Sequence, residues 1–110
     1  MKKPPVLKSK TAIGLIFKEG KRIQKFPVTV LFRANETESN RFLYCTDRSV
    51  KKAVSRNRVK RTLRAVVHEM QNDIPQGFDI ALIGGENFSK LNITDRMKKL
   101  KNLLLKMKNE

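Results

Sequence analysis

Val28, Val30 and Phe32 alternate with Thr29, Leu31 and Arg33, the period-two pattern of a strand with one uniformly apolar side. That strand is read over Phe26 to Arg33 and is entered through Pro27. Asn35 to Asn40 is a polar hairpin loop, and Arg41 to Thr46 returns as a second strand, expected to lie antiparallel to the first. The period then lengthens. Val59, Leu63, Val66, Val67 and Met70 recur at i, i+4, i+7, i+8 and i+11, one apolar stripe on a helix running from about Val50 to Gln71. Before the strands, Ser9 to Lys18 sets Ala12, Ile13, Ile16 and Phe17 at helical spacing, with Gly20 as a stop. After the long helix, Pro75-Gln76-Gly77 punctuates the chain. Phe78 to Ile83 then reads as a short buried strand ended by Gly84-Gly85. A last helix aligns Ile93, Met97, Leu100, Leu104 and Met107, with Lys98, Lys99, Lys101, Lys106 and Lys108 around them. Residues 1–8 read as a basic N-terminal arm and 9–110 as the domain. The order α-β-β-α-β-α predicts an α+β fold, a single compact domain with a small sheet packed by helices.

Charge changes this picture. Lys and Arg number 25 against 10 acidic residues in 110, a formal charge of +15, beside 39% hydrophobic residues. The apolar share supports a packed core, and the cationic excess predicts salt-sensitive attraction to a polyanion, nucleic acid before an anionic membrane. The excess is also uneven. From Arg48 to Arg64 there are eight Lys or Arg and no Asp or Glu: Arg48, Lys51, Lys52, Arg56, Arg58, Lys60, Arg61 and Arg64. Like charges at neighbouring helical positions repel, so the run costs stability that a polyanionic partner would return. At about 100° per residue, Asn57, Lys60, Arg61, Arg64 and His68 fall opposite the apolar stripe. Guanidinium forks suit phosphate oxygens, and Asn57 offers a donor and an acceptor to a ribose hydroxyl or base edge. Arg56 lies beside the stripe, where packing or an internal pair is the competing role.

The order of elements and the run Ala53-Val54-x-Arg56-Asn57-Arg58-Val59-Lys60-Arg61-x-x-Arg64 resemble the protein subunit of bacterial ribonuclease P. Phe17-x-x-Gly20-x-Arg22 is similar to that family's first-helix exit, and Phe78 to Ile83 to its last strand. Where many relatives carry Ser-Lys-Lys and a glycine before the motif helix, this chain has Asp47-Arg48-Ser49 and Lys51. The resemblance implies a fold like the second domain of ribosomal protein S5, with a left-handed β-α-β crossover around the motif helix. It implies that Arg48, Lys51, Lys52, Arg56, Asn57, Arg58, Lys60, Arg61, Arg64 and His68 dock on the catalytic RNA subunit. It further implies a cleft between the first helix and the sheet for the single-stranded 5′ leader of precursor tRNA, lined by Ile13, Phe17, Thr29, Leu31 and Arg33. Apolar faces with flanking cations are what unstacked bases and their phosphates need. For Phe17, an ordinary core anchor is the competing role. Mg²⁺ would be held mainly by the RNA subunit, and the holoenzyme would remove the leader to give the mature tRNA 5′ end.

Protein-based catalysis has no candidate residues here. His68 is the sole histidine and lacks a nucleophile or carboxylate partner. Cys45 reads as a small buried apolar residue in a strand, and Asp73, Asp79 and Asp95 are scattered rather than clustered for a metal. Tyr44 and Phe42 read as core or edge residues rather than stacking platforms. No organic cofactor and no obligate protein partner are expected. No run reaches the roughly 18 apolar residues of a membrane span, and Met1 to Val6 has no apolar stretch behind its lysines, so a cytoplasmic protein is expected. A ribosomal or other structured-RNA binding protein without turnover is the nearest alternative. A DNA-binding module lacks helix-turn-helix spacing or a dimer seam.

Overall fold

Ser9 accepts a hydrogen bond from the Ala12 N–H and so opens helix α1, Lys10–Glu19. In the computed structural model, which describes residues 5–107, Lys21–Lys25 forms β1, a strand absent from the expected order. It folds back through a two-residue turn at Phe26-Pro27, whose peptide bond is cis, onto β2, Val28–Ala34. β3 is Arg41–Thr46, α2 is Ala53–Met70, and a 3-10 turn over Gln71–Asp73 leads towards β4, Phe78–Gly84. The short α3, Glu86–Lys90, is a further addition, and α4, Ile93–Lys106, closes the chain. The result is the expected α+β architecture, a four-stranded sheet packed by helices.

The sheet order is β1-β2-β4-β3. β2 and β3 are therefore not the hairpin that their sequence proximity predicts. β4 lies between them, antiparallel to β2 and parallel to β3, and α2 makes the parallel connection. The antiparallel hairpin is β1–β2 instead.

Alternation gives the sheet two unlike faces. Val28, Val30, Phe32, Phe42, Tyr44, Ile80 and Leu82 join Val59, Leu63, Val66, Val67 and Met70 of α2 and Leu100, Leu103 and Leu104 of α4 in the main core. Ile93, expected in the α4 stripe, is instead exposed, because the first residue of α4 projects past the core; Leu103 adds the burial that the expected stripe omitted. On the opposite face a smaller cluster of Leu7, Ile16, Leu31 and Ala81 sits beneath α1. The expected arm is docked from Pro5 to Leu7: Leu7 is buried, its N–H donates to the Phe42 carbonyl at 2.7 Å, and Val6 bridges Phe42. Residues 1–4 of that arm, and Lys108, lie outside the described residues.

One end of the second face is locked by charge. Arg41 donates through Nε and Nη2 to the two oxygens of buried Asp79, each at 2.8 Å, and Asn35 Nδ2 adds a third hydrogen bond at 3.1 Å. A buried carboxylate is tolerated when its lone pairs are engaged in this way.

Candidate RNA interface

α2 sits on the sheet because β4 ends without side chains. A Cβ on Gly84 would lie 2.7 Å from Val59 Cγ1, and one on Gly85 would lie 2.9 Å from Asp47 Oδ2. The two glycines thus let the motif helix and its leading turn approach the end of β4, a packing role that their sequence signature as a strand terminator does not reveal. The leading turn is pinned there as well. Asp47 accepts from the Ser49 N–H at 2.8 Å, Ser49 Oγ accepts from the Glu86 N–H at 3.0 Å, and the Asp47 N–H donates to the Gly84 carbonyl at 3.1 Å.

The helix that follows begins against every electrostatic preference. Lys52 occupies the N-cap with no side-chain cap, and no acidic residue stands in the first turn. The N-terminal end of a helix carries partial positive charge, so cations there are unfavourable unless an anion is supplied. Thr46, Asp47, Arg48, Val50, Lys51 and Arg56 line an open hollow of about 620 Å³ beside this end. Arg56 Nε also reaches the Val50 carbonyl, at 3.4 Å, so its predicted proximity to the apolar side becomes a partial internal contact.

The remaining cations divide between two sides of α2. Asn57, Arg61 and Arg64 are exposed, and Lys60 and His68 are half-buried, on the side that meets β3. Arg64 lies over the Tyr44 ring, its guanidinium carbon 5.1 Å from the centroid, a cation–π contact that holds the long side chain in place. Burial pushes the Tyr44 hydroxyl up to about 12, with the Arg64 charge acting in the opposite direction. Burial likewise raises the Cys45 thiol, and the Lys60 ammonium opposes it. At about 100° per residue Arg58 falls on the other shoulder of the helix, and it is exposed; its backbone carbonyl accepts from Thr62 Oγ at 2.7 Å. Among the described residues the ion pairs are Arg41–Asp79 and a 4.0 Å contact between Arg33 and Glu19. None of these described carboxylates neutralises a cation between Arg48 and Arg64.

The second sheet face supplies the other half of the site. α1 covers only part of it. Ile16 is its buried anchor at 0% exposure, whereas Phe17 stands 53% exposed, so the core-anchor role falls to Ile16 and the Phe17 ring is free for a ligand. Ile13 is half-buried against the small cluster. Leu31 is sealed beneath α1 and supports the cleft rather than lining it, a correction to its expected exposure. Arg33 lies at the locked end, opposite Asp79 in register. The open part of the floor is a row running straight across all four strands: Cys45 pairs with Ile83, Ile83 with Thr29, and Thr29 with Gln24. Thr29 is an expected member; Cys45, Ile83 and Gln24 are additions. Ile83 is the telling one, because it lies on an inner strand and is still only half-buried. Among the described residues nothing seals it from solvent.

The chemistry of this surface is cationic, aromatic and without nucleophile–base pairs. Among the described residues no three His, Cys, Asp or Glu side chains converge as a metal site. Asp79 is committed to Arg41 and Asn35, and Asp47 to Ser49. This donor set does not fit Mg²⁺.

The family model described as Ribonuclease P matches residues 1–108. The ribonuclease P protein component of Thermotoga maritima is 38% identical over 94 residues, covering 82% of this chain and 80% of the relative. That of Oceanobacillus iheyensis is 30% identical over 107 residues, covering 96% and 88%. The solved structure of the RNase P protein from Thermotoga maritima superposes with a TM-score of 0.80 at 36% identity over 90% of this chain and 94% of that one. The Staphylococcus aureus RNase P protein, 22% identical, shares the fold with a TM-score of 0.74 over 92% of each chain. With this match across nearly its whole length, the chain belongs to the ribonuclease P protein family, the protein component of the enzyme that matures tRNA 5′ ends.

Proposed function

We propose that the α2 face and its leading turn dock on ribonuclease P RNA, while the open sheet face beside Phe17 holds the 5′ leader of precursor tRNA. The observation that carries this reading is the pairing of uncompensated cations from Arg48 to Arg64 on α2 with an inner-strand residue, Ile83, left half-buried on the opposite face of the same sheet. Arg48, Lys51, Lys52 and Arg56 meet phosphates at the helix end, where backbone N–H groups add to the attraction. Lys60, Arg61, Arg64, Asn57 and His68 meet the RNA along the helix, and Arg58 from its other shoulder. Phe17 and Ile13 form one wall of the leader cleft, and Thr29 part of its floor.

Mg²⁺ sits with the RNA subunit in this reading, as the poor fit of the protein's own carboxylates supports. The protein's contribution is then binding and positioning. It screens repulsion between two RNAs and holds the leader so that the scissile bond meets the RNA's catalytic centre. The reading places the work in the cytoplasm, and no helix of the described residues is long and apolar enough to cross a membrane.

Reconstitution tests it. The purified protein should restore leader cleavage to ribonuclease P RNA at Mg²⁺ concentrations where the RNA alone is inactive. Phe17→Ala should weaken binding of leader-bearing precursor by roughly 1–3 kcal/mol, about ten- to hundredfold, with mature tRNA unaffected. Melting should barely move, since Phe17 is exposed. A stable Phe17→Ala protein with normal leader discrimination would remove Phe17 from the cleft.

A further inference from the structure

The turn between β1 and β2 presents an aromatic ring that the fold does not use. Phe26 is 70% exposed, the same as Val54 and Ile93 and more than the aromatic of α1. Its backbone is nonetheless held firmly. The Pro27 carbonyl accepts from the Gly85 N–H at 2.9 Å, and Lys99 Nζ of α4 donates to the Phe26 carbonyl at 3.0 Å. Lys99 is thereby fixed beside the ring's own residue, and Lys25 adjoins it in the chain. β1 contributes Lys21 and Arg22 and no acid. The nearest acidic positions are Asp95, one helical turn before Lys99, and Asp47 and Glu86 across Gly85, of which Asp47 is bonded to Ser49.

The position of this ring relative to the open floor gives it a purpose. The row Cys45–Ile83–Thr29–Gln24 starts on β3 at Cys45 and ends on β1 at Gln24. Arg22 and Gln24 share that face, and Arg22 Nη2 donates to Gln24 Oε1 at 3.4 Å. Phe26 follows two residues after Gln24, in the turn that joins β1 to β2 at the edge where the row ends. Three strand spacings separate β3 from β1, about 14 Å. At about 3.4 Å per nucleotide when stacked, and more when extended, that is at most roughly four nucleotides.

We infer that single-stranded leader RNA crosses the sheet along this row and that a distal base, beyond the cleft, stacks on Phe26, with Lys25 and Lys99 against its phosphates. A ring in water contributes no burial to folding, whereas every base offers a face to stack on, and flanking ammonium groups meet the backbone without selecting sequence. The inference rests on the leader reading above and extends the site to a second aromatic platform on the opposite edge of the sheet.

The test uses holoenzyme reconstituted with wild-type, Phe17→Ala, Phe26→Ala or Phe26→Trp protein, and precursor tRNAs whose leaders are lengthened one nucleotide at a time. Phe26→Ala should melt like the wild type and bind short-leader precursors normally. It should then lose about tenfold of the affinity that wild type gains as the leader passes roughly four nucleotides. Phe26→Trp should restore that gain. Phe17→Ala should already be weak with short leaders. If Phe26→Ala follows the wild-type length dependence while Phe17→Ala does not, the distal platform is refuted and the cleft stands. If neither variant alters length dependence, the cleft reading falls first. Equal weakening of mature tRNA and every precursor, or a change of oligomeric state on sedimentation, would make Phe26 an RNA-subunit or protein contact and overturn the inference.

Discussion

The two faces of the sheet are made by the same strands from alternate residues, and they serve opposite ends. On one, Ile80 and Leu82 of β4 are wholly buried under α2 and α4; on the other, Ile83 of the same strand is half-open. The first face gains its energy by excluding water. The second leaves part of that gain unrealised at Ile83, and a partly exposed apolar residue on an inner strand marks a place for a partner. The sharpest challenge to this contrast is a pair of neighbouring truncations. Leu82→Ala should cost about 2–5 kcal/mol in denaturant unfolding. Ile83→Ala should cost only about 1 kcal/mol, because much less of it is buried, yet should weaken precursor binding in the holoenzyme. Similar stability losses would mean that the second face is as much core as the first.

α2 extends the contrast within one element, since its apolar stripe belongs to the closed face while most of its cations stand exposed. Arg61→Glu with Arg64→Glu should weaken binding to ribonuclease P RNA by roughly a hundredfold or more, as hydrogen bonds to charged groups are worth about 1.5–3 kcal/mol each in place. Reversing Lys101 and Lys106, exposed on α4, should cost only about two- to threefold through general attraction. The slope of log K against log salt should shrink in the first variant by about 0.7–0.9 for each phosphate that the protein no longer neutralises. Melting temperature should hold or rise, because no described carboxylate pairs with these arginines. Equal losses from the two double variants would spread the site over the whole cationic surface.

What the sequence made legible was whatever announces itself through periodicity. The α2 stripe, the Val28–Val30–Phe32 side of β2 and the buried β4 all carry strong apolar patterns, and all are where that pattern puts them. β1 carries almost none. Lys21-Arg22-Ile23-Gln24-Lys25 has one apolar residue because this edge strand packs only Ile23 against the core, and cations on an edge discourage pairing with other chains. Nearness along the chain favours a local β2–β3 hairpin, which does not form. Only the tertiary fit of α2 over Gly84 brings β4 between the two strands. The motif cations are legible as a charge run, and their docking role follows from resemblance. The floor row is not legible, since Cys45, Ile83, Thr29 and Gln24 lie on four strands and meet only through register. Phe17 and Ile16 show the limit of helical spacing: both fit the apolar side of α1, and packing alone decides that Ile16 goes in and Phe17 stays out.

Tyr44 links the two faces, with its ring in the main core and Arg64 laid over it from the cationic side of α2. If the ring positions Arg64 for RNA, Tyr44→Leu should reduce affinity for ribonuclease P RNA by roughly 0.5–1 kcal/mol, a few-fold. The same change in an Arg64→Ala background should have almost no further effect. Equal losses in the two backgrounds, measured as a double-mutant cycle, would separate Tyr44 from Arg64 and reduce the ring to core packing.

The smallest effect near neutral pH concerns the Tyr44 hydroxyl, which is buried without a hydrogen-bond partner among the described residues. Tyr44→Phe keeps the ring and removes the orphan group, so stability should hold or rise by up to about 1 kcal/mol, with RNA affinity retained. pH then gives the same hydroxyl a signature of its own. In the folded chain it stays protonated to about 12, whereas in the unfolded chain it ionises near 10. Above pH 10 the unfolded state therefore binds fewer protons at this site than the folded state. The stability that the neutral hydroxyl carries is complete below about pH 10 and is lost progressively towards pH 12. Wild-type protein should thus lose stability more steeply across that interval than Tyr44→Phe, while the lysines titrate in both. Parallel stability profiles for the two proteins would show that the hydroxyl is solvated, and that the closed face is open to water where Arg64 crosses it.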